Sequence, residues 1–272
     1  MSVAWESSGE LSVQGKTLEY ACYGPAPAQK PTLILLHEGL GSTALWRNFP
    51  SELSKATGFG VFVYSRAGYG FSDLADLPRP LNYMTREAED VLPELLDRIN
   101  LHCGILVGHS DGASIAAIYA GSVADKRING VVLMAPHFFT EELGLDAIAT
   151  ARVEFDKGAL RERMQKYHRD ADNTFYGWND SWLHPEFKHW NISGVLNQIT
   201  VPVLAIQGSD DQYGTLAQIE VIKTRCPAPV DSLILKNCKH SPFLEQESSV
   251  LTAISRFCRS VQDQDEFVSK TQ

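Results

Sequence analysis

The stretch ILVGHSDGASIAAIYA, residues 105–120, joins an apolar run to a second run rich in small residues, with a serine held between two glycines. Ile105-Leu106-Val107 is the short continuous apolar segment that a strand buried on both faces needs, and Gly112 to Ala120 reads as a helix. Ser110 therefore sits where a strand turns into a helix, inside the pattern Gly-x-Ser-x-Gly. The plain explanation is that small residues fill tight turns. The chemical explanation is a strained elbow that lifts a nucleophilic hydroxyl clear of a sheet, with glycines that admit neighbouring backbone without a Cβ clash.

Working outward, similar runs recur at Thr32 to Leu36, Val61 to Tyr64, Val131 to Met134, Val203 to Ile206 and Leu233 to Leu235. Amphipathic stretches lie between them; one spans Thr85 to Ile99, where Pro93 should kink the helix or mark its start. Strands alternating with helices imply right-handed crossovers and a mostly parallel sheet covered by helices on both faces. Leu11 to Tyr23 alternates around Gly15-Lys16 and reads as a β-hairpin. The alternation stops between about His137 and Gln198, which hold ten of the 26 aromatic residues and helix-like patterns such as Leu160 to His168. It resumes at Val201-Pro202-Val203. The expected division is a core of residues 1–136 and 199–262, an inserted helical cap at 137–198, and a polar tail at 263–272 that frays.

Composition bounds the function. With 44% hydrophobic and 21% charged residues, the chain can bury a sizeable core. A net charge of −9 argues against general nucleic-acid binding, which needs a basic face. No apolar stretch reaches the ~18 residues that span a bilayer, and the opening MSVAWESSGE has no signal-peptide pattern. The five cysteines are scattered without a Cys-x-x-Cys pair and read as small buried hydrophobes of a reducing, cytoplasmic compartment. No metal and no cofactor is expected, because no histidine pair has ligand spacing. The expected partner is a small-molecule substrate, with the chain a monomer or homodimer.

A serine hydroxyl needs a base, and the base needs an acid to orient it. The run Val203 to Ile206 leads into Gln207-Gly208-Ser209-Asp210-Asp211, and Leu233 to Leu235 leads into Lys236-Asn237-Cys238-Lys239-His240. A carboxylate and then a histidine thus follow the last two expected strands, and ligands bind at the carboxyl ends of such strands. His109 precedes the serine and should point away from it, His37 precedes the base in chain order, and His137, His168, His184 and His189 read as ordinary polar residues.

On these residues the chain resembles the α/β-hydrolase family over about residues 10 to 260. The matching pieces are HEGLGS (37–42), SRAGYGFSD (65–73), GHSDG (108–112), GSDD (208–211) and KHSPFLEQ (239–246). The resemblance implies a catalytic triad of Ser110, Asp211 and His240, with Asp210 the neighbouring rival of Asp211. It also implies an oxyanion hole made by the backbone N–H groups of Gly39 and Asp111. Two departures stand out: Lys239 where the family has glycine, and Glu38 where its loop has His-Gly. The implied activity is hydrolysis of a carboxylic ester or lactone through an acyl-enzyme. Alternatives on the same fold are a C–C bond hydrolase acting on a ring-cleavage product, a cofactor-free oxidative enzyme, and a small-molecule receptor with vestigial hydrolysis. Glu38, Asp111, Trp178 and Trp182 are the candidate substrate contacts. Two carboxylates near one acyl site, Glu38 and Asp111, would favour a cationic substrate. Asp111 is otherwise explained as a helix-start residue, stabilised by ~0.3–1 kcal/mol through the macrodipole, or as a partner of Arg66.

Overall fold

The structure is a computed structural model that describes residue 5 and residues 8–123 and 125–271, with side chains up to residue 263. Strands β1 (Ser8–Val13) and β2 (Lys16–Tyr23) form the expected hairpin, paired from Ser8 with Ala21 to Val13 with Lys16. The apolar runs form β3 (Thr32–Leu36), β4 (Gly60–Tyr64), β5 (Gly104–His109), β6 (Ile128–Met134), β7 (Val203–Gly208) and β8 (Val230–Leu235). The eight strands make one sheet in the order β1-β2-β4-β3-β5-β6-β7-β8. β1 pairs antiparallel with β2, and β2 antiparallel with β4; every other pairing is parallel.

Every residue of β3 is buried, and its side chains divide by parity. Ile34 and Leu36 enter the core on one face, with Leu106, Ala113 and Leu95, whereas Leu33 and Leu35 enter the other, with Phe49, Val107 and Ile254. This two-residue period is what a strand covered on both sides requires. The first face is covered by α2 (Tyr83–Arg86), α3 (Leu92–Arg98) and α4 (Asp111–Ser122). The second is covered by α1 (Phe49–Thr57) and the long C-terminal helix.

The helix expected at Thr85 starts two residues earlier. A π-turn at Glu87–Val91 separates α2 from α3 just before Pro93. Proline cannot donate the intrahelical bond and its ring crowds the preceding turn, so the backbone widens there.

Between β6 and β7 lie α5 (Glu142–Asp156), α6 (Ala159–Met164), α7 (Ala171–Trp182) and two 3₁₀ turns. The pattern seen at Leu160 to His168 gives only the short α6; His168 leaves the helix and accepts a hydrogen bond from the Gly70 N–H at 2.9 Å. The chain ends with α8 (Ala217–Arg225), α9 (Pro242–Glu245) and α10 (Glu247–Thr271). The tail expected from residue 263 is a continuation of α10 to Thr271; Val250, Ile254, Phe257 and Val261 form the buried stripe on which that helix starts, and no proline or glycine stops it. Among the described residues no helix is long and apolar enough to cross a membrane.

Candidate active site

Register sets the site. Leu36 pairs with Gly108, His109 with Met134, and Gly208 with Leu235, so β3, β5, β6, β7 and β8 end side by side. The segments that follow them carry Gly39, Ser110, His137, Asp211 and His240.

Ser110 has φ 54° and ψ −118°, a backbone state that a residue with a side chain adopts only under constraint. The constraint is visible. The Ser110 N–H donates to the Met134 carbonyl at 2.9 Å, and α4 begins at the next residue. A Cβ on Gly112 would collide with the Leu36 carbonyl oxygen, and one on Gly108 with the Gly112 carbonyl oxygen. The two glycines are therefore demanded by backbone that passes at contact distance, and the serine between them is held strained at the end of β5. A third glycine acts likewise: a Cβ on Gly208 would collide with the Cys238 and Lys239 carbonyl oxygens, so the end of β7 closes against the loop that carries His240.

His240 Nδ1 lies 2.9 Å from each carboxylate oxygen of Asp211. Asp211 also accepts from Gln207 Nε2 and from the Tyr213 N–H, both at 2.8 Å. Burial raises its pKa, but the hydrogen bond and positive charge of His240 and the Tyr213 N–H outweigh that and hold the carboxyl below its ordinary value. A carboxylate accepting from Nδ1–H fixes the tautomer that leaves Nε2 as the basic nitrogen. Asp210 is placed elsewhere: it is exposed and accepts from Ser209 Oγ at 2.8 Å.

Ser110 and His240 line one cavity of about 200 Å³. Gly39 and Asp111 line it as well, and among the described hydrogen bonds neither of their N–H groups has a partner. Trp178 roofs Gly39 so closely that a Cβ there would strike its indole nitrogen. Trp182, Ile148, Leu40 and Tyr213 supply further apolar wall. All four candidate substrate contacts, Glu38, Asp111, Trp178 and Trp182, face this cavity.

The carboxylates differ in their surroundings. Asp111 is buried, and its Oδ2 accepts from the Tyr83 hydroxyl at 2.5 Å, which in turn accepts from Trp182 Nε1–H at 3.1 Å. Burial pushes the Asp111 carboxyl up, and the Arg66 guanidinium and the Tyr83 hydroxyl oppose this without cancelling it. Glu38 stands 3.6 Å from His109 Nδ1. Burial raises its pKa too, but the nearby His109 imidazole brings it below the usual value.

Two further cavity residues, His137 and Glu141, lie outside the sequence motifs. His137, read as an ordinary polar residue, is buried in the cavity wall with its ring 5.6 Å from that of His240 and edge-on to Trp182 at 5.4 Å. Burial and the nearby His240 push its pKa down to about 3, so it is neutral. Its signal was positional: it follows β6 directly, at the same sheet end as Ser110. Glu141, which no pattern marked, also lines the cavity. His109 is not among the residues that line the cavity, but it has a role: its Nε2 is 2.7 Å from the His240 carbonyl oxygen. Among the described residues no group of three or more His, Cys, Asp or Glu is arranged to hold a metal ion.

The α/β-hydrolase-fold family matches residues 31–177, just over half of the chain. The chain belongs to this family. It is 28% identical over 125 residues to a proline iminopeptidase of Lactobacillus helveticus, covering 46% of the chain and 42% of that protein. It is 26% identical over 184 residues to a non-heme chloroperoxidase of Streptomyces lividans, covering 57% of the chain and 65% of that protein. The chain thus spans less than two thirds of the length of either curated relative. Its fold also matches the crystal structure of an enol-lactonase from Burkholderia xenovorans LB400, with a TM-score of 0.72, 20% identity, and coverage of 92% of this chain and 99% of that one.

Proposed function

We propose that this α/β hydrolase is a serine hydrolase that cleaves a carboxylic ester or lactone of a small molecule, with the helices between β6 and β7 as a cap over the site. The observation that carries the reading is the pair His240–Asp211 set in the cavity that the strained Ser110 lines. Ser110 Oγ attacks the carbonyl carbon as His240 Nε2 takes the hydroxyl proton. The carbonyl oxygen becomes an oxyanion, which the Gly39 and Asp111 N–H groups stabilise; one such donor is worth about 3 kcal/mol in the transition state. Collapse of the intermediate breaks the bond to the alcohol, which leaves with the proton from His240. Water, deprotonated by the same imidazole, then releases the acid and restores Ser110. Asp211 stabilises the imidazolium in both halves. A lactone follows the same steps and gives one hydroxy acid.

Amide hydrolysis is the second reading, favoured by the similarity to a proline iminopeptidase. The buried Cys22, Cys238 and Cys258 agree with a reducing, cytoplasmic setting. The test is to treat the purified protein with an aryl phosphonate and assay it on short aryl esters, γ-lactones and a proline aryl amide. Phosphonylation at Ser110 with ester or lactone turnover is expected. An unmodified Ser110 and no turnover of any substrate would overturn the reading.

A further inference from the structure

The cavity lining contains three carboxylates, Glu38, Asp111 and Glu141, and neither lysine nor arginine. Their surroundings separate them. Asp111 is bonded to Tyr83 and feels the Arg66 and Arg79 guanidinium groups, so its charge is answered from within the protein. Glu38 faces His109. Every partner that the structure gives the Glu141 carboxylate is neutral: the Thr215 N–H at 3.0 Å and Gln218 Nε2 at 2.7 Å on one oxygen, and Thr215 Oγ1 at 2.6 Å on the other. A carboxylate offers about four acceptor sites, and these donors fill three. Gln218 is itself buried and anchored by the Phe138 N–H and the Phe139 carbonyl, so Glu141 is fixed in place.

A second observation points the same way. His137 is 6% exposed, its ring nitrogens have no hydrogen-bond partner among the described residues, and it lines the same cavity. His137 and Glu141 both pack on Gly214: a Cβ there would stand 3.2 Å from His137 Cε1 and 3.5 Å from Glu141 Oε2. A neutral imidazole keeps a lone pair for an incoming N–H. Trp182 and Tyr213 add aromatic faces, which attract a cation desolvated beside them.

The location decides which half of the substrate is met. The His240 ring lies 5.6 Å from that of His137 and 4.7 Å from that of Tyr213. The departing alcohol must reach His240 Nε2 to collect its proton, so it occupies this side, whereas the carbonyl oxygen points to Gly39 and Asp111. The geometry points to an ester whose leaving alcohol carries a protonated amine, held by Glu141 and His137. This rests on the ester-hydrolase reading and names its substrate class.

The experiment compares 2-(dimethylamino)ethyl butanoate, cationic at neutral pH, with its neutral isostere 3-methylbutyl butanoate. A hydrogen bond to a charged group supports a preference on the order of tenfold in kcat/KM for the cationic ester, carried mainly by KM. Glu141→Gln should bring the ratio close to one. Equal or lower kcat/KM for the cationic ester in the wild type, or an undiminished preference in Glu141→Gln, would overturn the assignment. So would a preference shown only when the amine sits on the acyl side, tested with 3-methylbutyl 4-aminobutanoate against the pentanoate. Calorimetric binding of 2-(dimethylamino)ethanol against 3-methylbutan-1-ol to the wild-type protein needs neither turnover nor a variant: tighter binding of the amine supports the assignment, and equal binding overturns it. Turnover of the neutral ester that depends on Ser110 but shows no preference would remove the amine and leave the hydrolase standing.

Discussion

His109 Nε2 lies 2.7 Å from the carbonyl oxygen of His240, a residue 131 positions further along the chain. The residue before the candidate nucleophile thus tethers the loop of the candidate base, and the two groups that must meet share one anchor. His109 also packs edge-on to Phe243 with ring centroids 5.3 Å apart, which ties it to the helix following that loop. His109→Ala removes the tether without touching a reacting atom. A misplacement of about 1 Å costs on the order of 100-fold, so kcat should fall ten- to 100-fold with KM little changed. An unchanged kcat with intact melting behaviour would show that the loop holds its place without His109.

Asp211 and Asp210 are neighbours in sequence with opposite surroundings. Only Asp211 bonds His240, and only the orienting carboxylate stabilises an imidazolium. Asp211→Asn should lower kcat by about 10⁴-fold and Asp210→Asn by less than about threefold. Ser110→Ala should match or exceed the Asp211 loss, and combining it with His240→Ala should add little, because these groups act as a unit. Steady-state kinetics on one aryl ester ranks all four, and a larger loss at Asp210 would contradict the assignment.

Much of this was legible in the sequence because it depends on local pattern. Continuous apolar runs mark buried strands, and the elbow glycines are required by backbone contact, so both leave a trace in single letters. Residues placed by contacts across the fold leave none. Glu141 acquires its setting from Thr215 and Gln218, 74 and 77 positions away. Tyr83 reaches Asp111 from the single turn of α2 and lies just before the amphipathic stretch that begins at Thr85, and the π-turn before Pro93 changes which side chains face inward. His137 looked like any polar residue after a strand; only the parallel pairing of β6, β7 and β8 brings it to His240.

His37 and His137 also set a stability limit. Burial is the largest cause in each case; the Arg66 charge adds to it for His37 and the His240 charge for His137, and both imidazoles stay neutral to well below the ordinary histidine range. In the unfolded chain they take up protons near pH 6.5, so as pH falls below that value the unfolded state binds protons that the folded state refuses. Stability is therefore full above about pH 6.5 and declines toward about pH 3, where His137 at last accepts its proton. One such group contributes a slope of up to ~1.4 kcal/mol per pH unit. His137→Gln should flatten the decline between about pH 6 and pH 4 by close to one proton, measured by urea unfolding across that range. An unaltered slope would mean that His137 titrates freely in the folded protein.

Asp111 offers the sharpest contrast between what its place in the sequence suggested and what surrounds it. Beside the candidate nucleophile and near Glu38, it read as an anion for a cationic substrate. In the structure its Oδ2 takes the Tyr83 hydroxyl, whose oxygen takes the Trp182 indole N–H, so the carboxylate anchors a chain from α4 through α2 to α7. Its work is to hold the wall of the cavity. Tyr83→Phe strips a donor from Asp111 and an acceptor from Trp182 and leaves both buried, which should cost about 1–3 kcal/mol. Asp111→Asn keeps an acceptor for Tyr83 but removes the charge. If Asp111 held a substrate cation, that variant would abolish any preference for cationic over neutral esters. As a structural carboxylate, it should slow both esters alike and leave their kcat/KM ratio within about twofold of wild type, since a group felt equally by two substrates does not discriminate between them. The double variant Tyr83→Phe with Asp111→Asn should lose less stability than the two single losses added, as residues in one hydrogen-bonded chain do. Strict additivity, or a collapsed ratio in Asp111→Asn alone, would return the carboxylate to the substrate.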